Sequence, residues 1–361
     1  MSNKIKIKNV KYEKIKTPVK IRFQQYLADL AGCGYIRVIY PSLLLNQMIN
    51  KDIQVESFYT NRFTPHPDGY QNTSFVVFQR AATEQQLQMI RHLKTNMKGL
   101  PILYEIDDSL IDIPEWNFAS EFYKPLESNI KEILRTVDGI ITSTEYLKKK
   151  YLKYNKNIQV ISNHLPKFIW GDVVECKSKD IQHPRIVYSG SFNHFKQEGS
   201  GGDFHKDLIK FISDTTEKYD WIFVGGVPYE LRNDPGVTIY PWKSVMEFPS
   251  FIKSLNADIM LAPLEDNDFN CCKSNIKALE AVACGIPLIC SNIEPYKNLT
   301  CKCDTPDWMI HQIEMLAANP NIRRDVWKSD YNTLKTQLYW EENGNLLDYI
   351  NKYLKLVGKR L

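Results

Sequence analysis

The sequence predicts an α/β protein of two doubly wound, Rossmann-like domains facing each other across a cleft. Three observations carry this expectation. A strand-then-helix alternation recurs along the chain, the mark of helices layered on a parallel sheet. The alternation pauses over residues 167–184, which have mixed polarity and no sustained period, and then restarts. The length of 361 residues suits two domains.

The elements follow in order. Residues 20–27 read as a first strand, running into AGCGYIR (31–37) as a tight glycine turn and then an apolar helical stretch to Met48. Residues 53–60 and 74–79 are further strands. Residues 83–98 have helical periodicity, with Leu87, Met89, Ile90 and Leu93 on the buried side. Residues 100–106 form a buried strand that ends in Asp107–Asp108. Residues 118–137 are helical, and 139–144 is a strand with Ser143 and Thr144 ahead of a Lys-rich helix. Residues 158–161 close the first half. In the second half, strands are expected at 185–189, 221–224, 237–240, 258–262 and 287–291. A helix is expected at 273–284, and further helices from Pro306 to the end. In such sheets ligands bind beyond the carboxyl ends of the strands.

Composition narrows the class. Hydrophobic residues make up 43% and charged residues 24%, which excludes disordered and collagen-like chains. No apolar run approaches the roughly 18 residues that span a membrane, and the basic N-terminus lacks the apolar core of a secretory signal. Eight cysteines without zinc-pair spacing read as free thiols, so a cytoplasmic location and no structural metal are expected. The net charge is +4, unevenly spread. Residues 1–22 carry +7 and residues 351–361 carry +4, leaving −7 between them. Basic ends on an acidic body suit a polyanionic partner, or a solvated start and tail.

The most informative stretch is DIMLAPLEDNDFNCCKSNIKALEAVACGIPLICSNIEPY (258–296). A strand delivers the chain to a polar loop at 265–270. Lys273–Ser274–Asn275 then opens a helix whose free amides and dipole make an anion site. Lys273 adds a point charge for a diphosphate, and Glu280, two turns on, suits a ribose diol. Gly285 and Pro287 end the helix and start the next strand. Asp266-Asn267-Asp268 is a literal Asp-x-Asp, but its place in a loop of the second half leaves it unassigned as a metal site. His194 follows the Gly190–Ser191 turn at the top of the first strand of the second half, with Lys196 as a second phosphate candidate. In the first half, Asp107–Asp108 end an apolar strand and either meet a ligand in the cleft or cap a turn at Ser109. Arg37 either reaches the cleft or forms a surface salt bridge.

The 258–296 stretch resembles the C-terminal donor half of GT-B glycosyltransferases. VYSGSFNH (187–194), FVGG (223–226), GCGYIRVIYP (32–41) and YEIDDSL (104–110) are similar to them as well. The resemblance covers most of residues 20–300. It implies an acceptor-binding domain over 1–168, a nucleotide-sugar domain over 169–335, and a last segment, 336–361, returning to the first domain. It implies Lys273, His194 and Asp108 as catalytic residues. Donor contacts would come from Gly190, Ser191, Lys196, Asp268, Phe269, Asn270, Ser274, Asn275 and Glu280, and acceptor contacts from Gly34, Tyr35, Arg37 and Asp107. The co-substrate implied is a UDP-sugar, with no cofactor and no metal, and with retention at the anomeric carbon. One departure stands out. Many retaining members carry Glu-x7-Glu; here Glu280 matches the second position and Cys272 occupies the first. The whole chain is similar to glycosyltransferases of T-even-type bacteriophages, some of which place a sugar on 5-hydroxymethylcytosine. This implies DNA as partner and a glucose- or arabinose-type sugar. The alternatives are a cell-surface polysaccharide transferase and a non-catalytic nucleotide-binding module.

Overall fold

The structure, a computed structural model, describes residues 19–50, 52–63, 66–177, 180–196 and 201–359. The basic run within residues 1–18 and Arg360 lie outside these. Two parallel sheets of six strands organise the chain. The first contains β1 (Val19–Tyr26), β2 (Ile53–Thr60), β3 (Phe75–Gln79), β4 (Ile102–Ile106), β5 (Gly139–Thr142) and β6 (Ile158–Val160), in the order β2-β1-β3-β4-β5-β6. The second contains β7 (Arg185–Gly190), β8 (Asp220–Gly225), β9 (Val237–Tyr240), β10 (Ile259–Ala262), β11 (Leu288–Ser291) and β12 (Lys302–Cys303), in the order β12-β11-β10-β7-β8-β9. The two-residue β12 was not expected from the sequence, being too short to show a pattern. β3 (FVVFQ) and β4 (ILYEI) are buried along their whole length, as strands covered by helices on both faces must be.

Helix boundaries follow local chemistry. Thr83 and Gln86 form a capping box that opens the helix Glu84–Asn96, and Leu87, Ile90 and Leu93 face the core. The single helix expected over 118–137 is two, Ala119–Tyr123 and Glu127–Thr136, separated by the tighter turn Lys124–Leu126. Pro125 supplies the break, since it has no amide to donate.

The expected glycine turn is instead the start of a helix. Asp29 Oδ1 accepts from the amides of Ala31 (2.9 Å) and Gly34 (3.1 Å), so helix begins at Gly32. The next five residues, Tyr35–Ile39, form a π-turn in which the Tyr40 amide donates to the Tyr35 carbonyl. Pro41 explains the wide turn: its ring would clash with the carbonyl of Arg37, four residues back, in a regular helix. A regular helix then runs through Tyr40–Gln47.

The last helix, Asn345–Leu356, lies on the first sheet. Tyr349, Ile350, Tyr353 and Leu354 pack among Phe23, Phe75, Val77 and Ile141. The Phe75 and Tyr353 rings stack with centroids 5.4 Å apart. On its way back the chain runs beside the linker: Leu165 N–H donates to Leu338 O (2.8 Å) and Trp340 N–H to Leu165 O (3.0 Å).

Each sheet has one place where its strand order reverses, between β1 and β3 in the first and between β7 and β10 in the second. Chain segments leaving adjacent strands there diverge to opposite faces and leave a crevice.

Candidate functional site

The two crevices open onto one cavity of about 300 Å³ between the domains. The first domain lines it with Gly32 and Cys33 after β1, Arg80 after β3, and Asp107–Asp108 after β4. The second lines it with Ser189–Ser191 and His194 after β7, Trp242 after β9, and the run Lys273, Ser274, Lys277 and Glu280.

The second-domain wall gathers positive charge and free backbone donors, a set that can hold an anion. The helix Ile276–Cys284 points its N-terminus at the cavity, and its first internal hydrogen bonds are Ala278 and Leu279 N–H to Asn275 O. The amides before them are the orphan donors of a helix start. The Lys273 and Lys277 ammonium groups flank this end, lying 4.5 Å and 5.1 Å from the ring centroids of Phe269 and Tyr188. Burial holds the Lys277 ammonium below its ordinary range, against the pull of Glu280. Its Nζ donates to the Ser189 carbonyl. The Ser189 hydroxyl is buried with no hydrogen-bond partner among the described residues. Close approach of the backbone is needed here: Gly225 sits at φ +92°, and a Cβ there would meet Gly190 O at 2.5 Å.

Glu280 lies one turn beyond Lys277. Burial pushes its carboxyl up to about 7, against the opposing pull of Lys277. A ribose diol donating to this carboxyl favours the ionised form, so binding would release its proton. UDP affinity is therefore expected to rise with pH up to about 7 and level off above it. Glu280→Gln is expected to abolish that component of the pH slope, and Glu280→Ala to weaken UDP by at least about tenfold, the worth of one hydrogen bond to a charged group. Isothermal titration with UDP between pH 5.5 and 8.5 checks both. Unchanged affinity in Glu280→Ala would remove the ribose role.

The opposite wall carries charge of both signs. Asp107 pairs with Arg80 Nε. Burial opposes ionisation of Asp107, but the Arg80 guanidinium outweighs it and holds the carboxyl below its ordinary value. Arg80 has a left-handed backbone, φ +47°, a costly conformation for a residue that carries a Cβ and one that clusters at binding sites. Asp108 Oδ2 meets Lys273 Nζ across the cleft at 3.2 Å.

No protein-family model matches the chain, and no curated protein matches its sequence. Solved structures do match its fold. α,α-Trehalose 6-phosphate synthase from Burkholderia multivorans aligns with a TM-score of 0.56 at 8% identity, over 95% of this chain and 98% of that one. A UDP-forming α,α-trehalose-phosphate synthase from Burkholderia xenovorans, in complex with glucose-6-phosphate, gives 0.53 at 9% identity, over 94% and 99%. S. aureus TarM, in complex with fondaparinux, α-GlcNAc-glycerol and UDP, gives 0.50 at 13% identity over 79% of this chain, which spans 55% of TarM's length. The fold is GT-B. At these identities the likeness is one of architecture.

Of the residues singled out from the sequence, the GT-B cleft brings together Lys273, His194, Asp108, Asp107, Gly190, Ser191, Ser274 and Glu280. The others lie elsewhere. Arg37 turns inward, neither to the cleft nor to the surface: Nε meets Glu105 at 2.7 Å, with the two side chains 2% and 1% exposed. Gly34 donates its amide to Asp29, and Tyr35 packs on Tyr40 at 5.3 Å. Neither lines the cavity, because the helix start puts Gly32 and Cys33 there instead. Lys196 faces a different hollow of the second domain, beside Lys206 and Asp304.

The polar loop is also differently employed. Asp268 bonds to Tyr146 (2.9 Å) and pairs with Lys150 (2.5 Å), both of the first domain. Phe269 is buried beneath Lys273. Asn270 is fully buried and donates to Asp203 (2.6 Å) and to the Glu265 carbonyl (2.9 Å). Asn275 exchanges hydrogen bonds with Gln337 at 3.1 and 3.0 Å. Cys272 is buried in the cluster that forms the first domain's core and does not line the cavity. The helix expected from Lys273 begins three residues later, so Lys273 precedes it.

Lys277, Arg80, Trp242 and Asp203 were not singled out. For Lys277 the signal was present, since it falls between Lys273 and Glu280 at helical spacing. Arg80 and Asp203 sit in loops whose residue patterns carry none.

Proposed function

We propose that this protein is a glycosyltransferase that moves a sugar from a UDP-sugar to an acceptor hydroxyl. The observation that carries it is the convergence of Lys273, Lys277, a helix N-terminus and Glu280 on one wall of a cleft between two Rossmann-like domains. That set matches the two ends of a nucleoside diphosphate: cations and amides for the diphosphate, a carboxyl for the ribose. TarM, one of the fold neighbours, was solved with UDP.

In the transfer, the bond from the anomeric carbon to the β-phosphate oxygen breaks and a bond to the acceptor oxygen forms. UDP departs with the negative charge, and the acceptor proton passes to a phosphate oxygen. Charge grows on the β-phosphate, where Lys273, Lys277 and the amides already point, so the fixed donors lower the barrier most there. Asp107, Asp108 and Arg80 form the facing wall and orient the acceptor. Retention follows if the acceptor arrives on the face that UDP leaves.

The acceptor we favour is 5-hydroxymethylcytosine in DNA. The likeness to phage enzymes and the basic ends of the chain support it. The first domain also offers Phe118 and Phe122, 55% and 58% exposed, on the segment that reaches the second domain through Trp116 Nε1 and Glu265 (3.1 Å). A base must leave the duplex to enter a cleft of this size, and exposed aromatic rings suit an unstacked base. The test is mass spectrometry of nucleosides from hydroxymethylcytosine-containing DNA after incubation with UDP-glucose, UDP-arabinose or UDP-N-acetylglucosamine, with EDTA present. A pentose or hexose shift on the modified nucleoside is expected. Donor hydrolysis without any shift would overturn the DNA acceptor and turn the search to glycans. The absence of shift, hydrolysis and UDP binding together would overturn the enzyme reading.

A further inference from the structure

One arrangement on the donor wall is not explained by diphosphate or ribose binding. His194 and Asp203 are the two ends of a loop closed by a short antiparallel contact between Phe195 and Gly202. Asp203 N–H donates to His194 O at 2.9 Å, and His194 Nδ1 lies 2.6 Å from Asp203 Oδ2. The Asp203 carboxylate is 1% exposed. Its other oxygen, Oδ1, accepts from Glu265 N–H (2.9 Å) and Asn270 Nδ2 (2.6 Å). All these partners donate to it, so Asp203 is an acceptor throughout and Nδ1 of His194 carries the proton.

The consequence falls on the other ring nitrogen. His194 lines the cleft, and Nε2 has no hydrogen-bond partner among the described residues. With Nδ1 protonated, Nε2 of the neutral ring is a bare acceptor. Burial keeps the imidazole neutral despite Asp203, and the facing Lys273 and Lys277 act in the same direction as burial. The rest of this wall offers mostly donors: two ammonium groups, helix amides and serine hydroxyls. An acceptor fixed among them suits a neutral hydroxyl and repels a phosphate oxygen.

We propose that His194 Nε2 accepts a hydrogen bond from a hydroxyl of the transferred sugar, and that Asp203 is the positioning residue that fixes its tautomer and ring orientation. The inference rests on the UDP-sugar reading above and adds the contact that distinguishes UDP-sugar from UDP.

The test is calorimetric titration of wild type, His194→Ala and Asp203→Asn with UDP, UDP-glucose, UDP-arabinose and UDP-N-acetylglucosamine. Asp203→Asn is nearly isosteric. Its Oδ1 can keep Glu265 and Asn270, while its Nδ2 now donates to Nδ1 and moves the ring proton to Nε2. Both variants are expected to bind UDP within about twofold of wild type and to lose about tenfold or more for the UDP-sugar that wild type binds best. Deoxygenated forms of that donor should identify one hydroxyl whose removal costs wild type as much as His194→Ala does and costs His194→Ala nothing further. Equal losses for UDP and UDP-sugar, or none for either, would overturn the proposal. A wild type that binds neither UDP nor any UDP-sugar would overturn the donor reading itself.

Discussion

Replacing Lys273 with alanine is expected to lower kcat for sugar transfer by about 10²- to 10³-fold, while weakening UDP binding by less than about tenfold. The asymmetry has a physical origin. In the ground state the diphosphate charge is spread over several oxygens and shared between Lys273, Lys277 and the helix amides. As the glycosidic bond breaks, charge concentrates on the β-phosphate, and a cation held in a partly dry cleft then counts for more. Lys273 is also well supported, resting on the Phe269 ring and tethered by Asp108, so no reorganisation delays it. Steady-state kinetics with a competent donor and acceptor, beside UDP titration, separates the two effects. A kcat within about threefold of wild type would remove Lys273 from the transition state.

The second large effect concerns stability. Arg37→Ala is expected to cost about 3–5 kcal/mol, because it strands a buried charge. Arg37 makes three buried hydrogen bonds: to Glu105 Oε1 at 2.7 Å, the Ile161 carbonyl at 2.7 Å and Asn163 Oδ1 at 2.8 Å. The other Glu105 oxygen has no hydrogen-bond partner among the described residues. Burial raises the Glu105 carboxyl above its ordinary value even with Arg37 beside it. Without Arg37 the carboxyl rises further, and the folded variant holds a proton that the unfolded chain releases. The sign follows: stability of the variant falls as pH rises through the carboxylate range, so the loss is smaller at pH 5 than at pH 8. Chemical denaturation at both values checks this. A pH-independent loss, or one below about 1 kcal/mol, would contradict it, and Arg37→Met combined with Glu105→Leu should recover much of the stability.

Arg37 also illustrates what a sequence leaves unsaid. The strand over Glu105 was legible as buried because its neighbours are Ile102, Leu103, Tyr104 and Ile106. That a carboxylate in it needed a cation from 68 positions upstream was not, since nothing local encodes the pairing. The same holds for Gly32 and Gly34: glycines suggest a turn, and only the Asp29 carboxylate, reaching forward as a cap, makes them helical. Most strands were legible because parallel strands are continuous apolar runs bounded by polar loops. The meeting of Lys273, Ser274 and Glu280 on one wall of the cleft was legible in large part because they are close in sequence. Asp268 and Asn270 look equally polar on paper, and only tertiary contact separates a residue that binds the other domain from one that holds a loop. Asp203 and Arg80 act through partners far along the chain and carried no local signal.

The return of the final helix to the first sheet has a consequence for how this chain is made. Tyr349 Oη donates to Gln25 Oε1 at 3.3 Å, across 324 positions, and Tyr353 completes the stack on Phe75. The first sheet emerges early from the ribosome, yet one of its faces, covered until then only by the helix Tyr40–Gln47, stays partly open until the helix Asn345–Leu356 is translated. Throughout synthesis of the second domain, Phe23, Phe75 and Val77 are open to water or to a chaperone. The domain that begins first is therefore completed only after the second has been made, and a cut between the two halves would leave the first domain without the helix Asn345–Leu356 on its sheet.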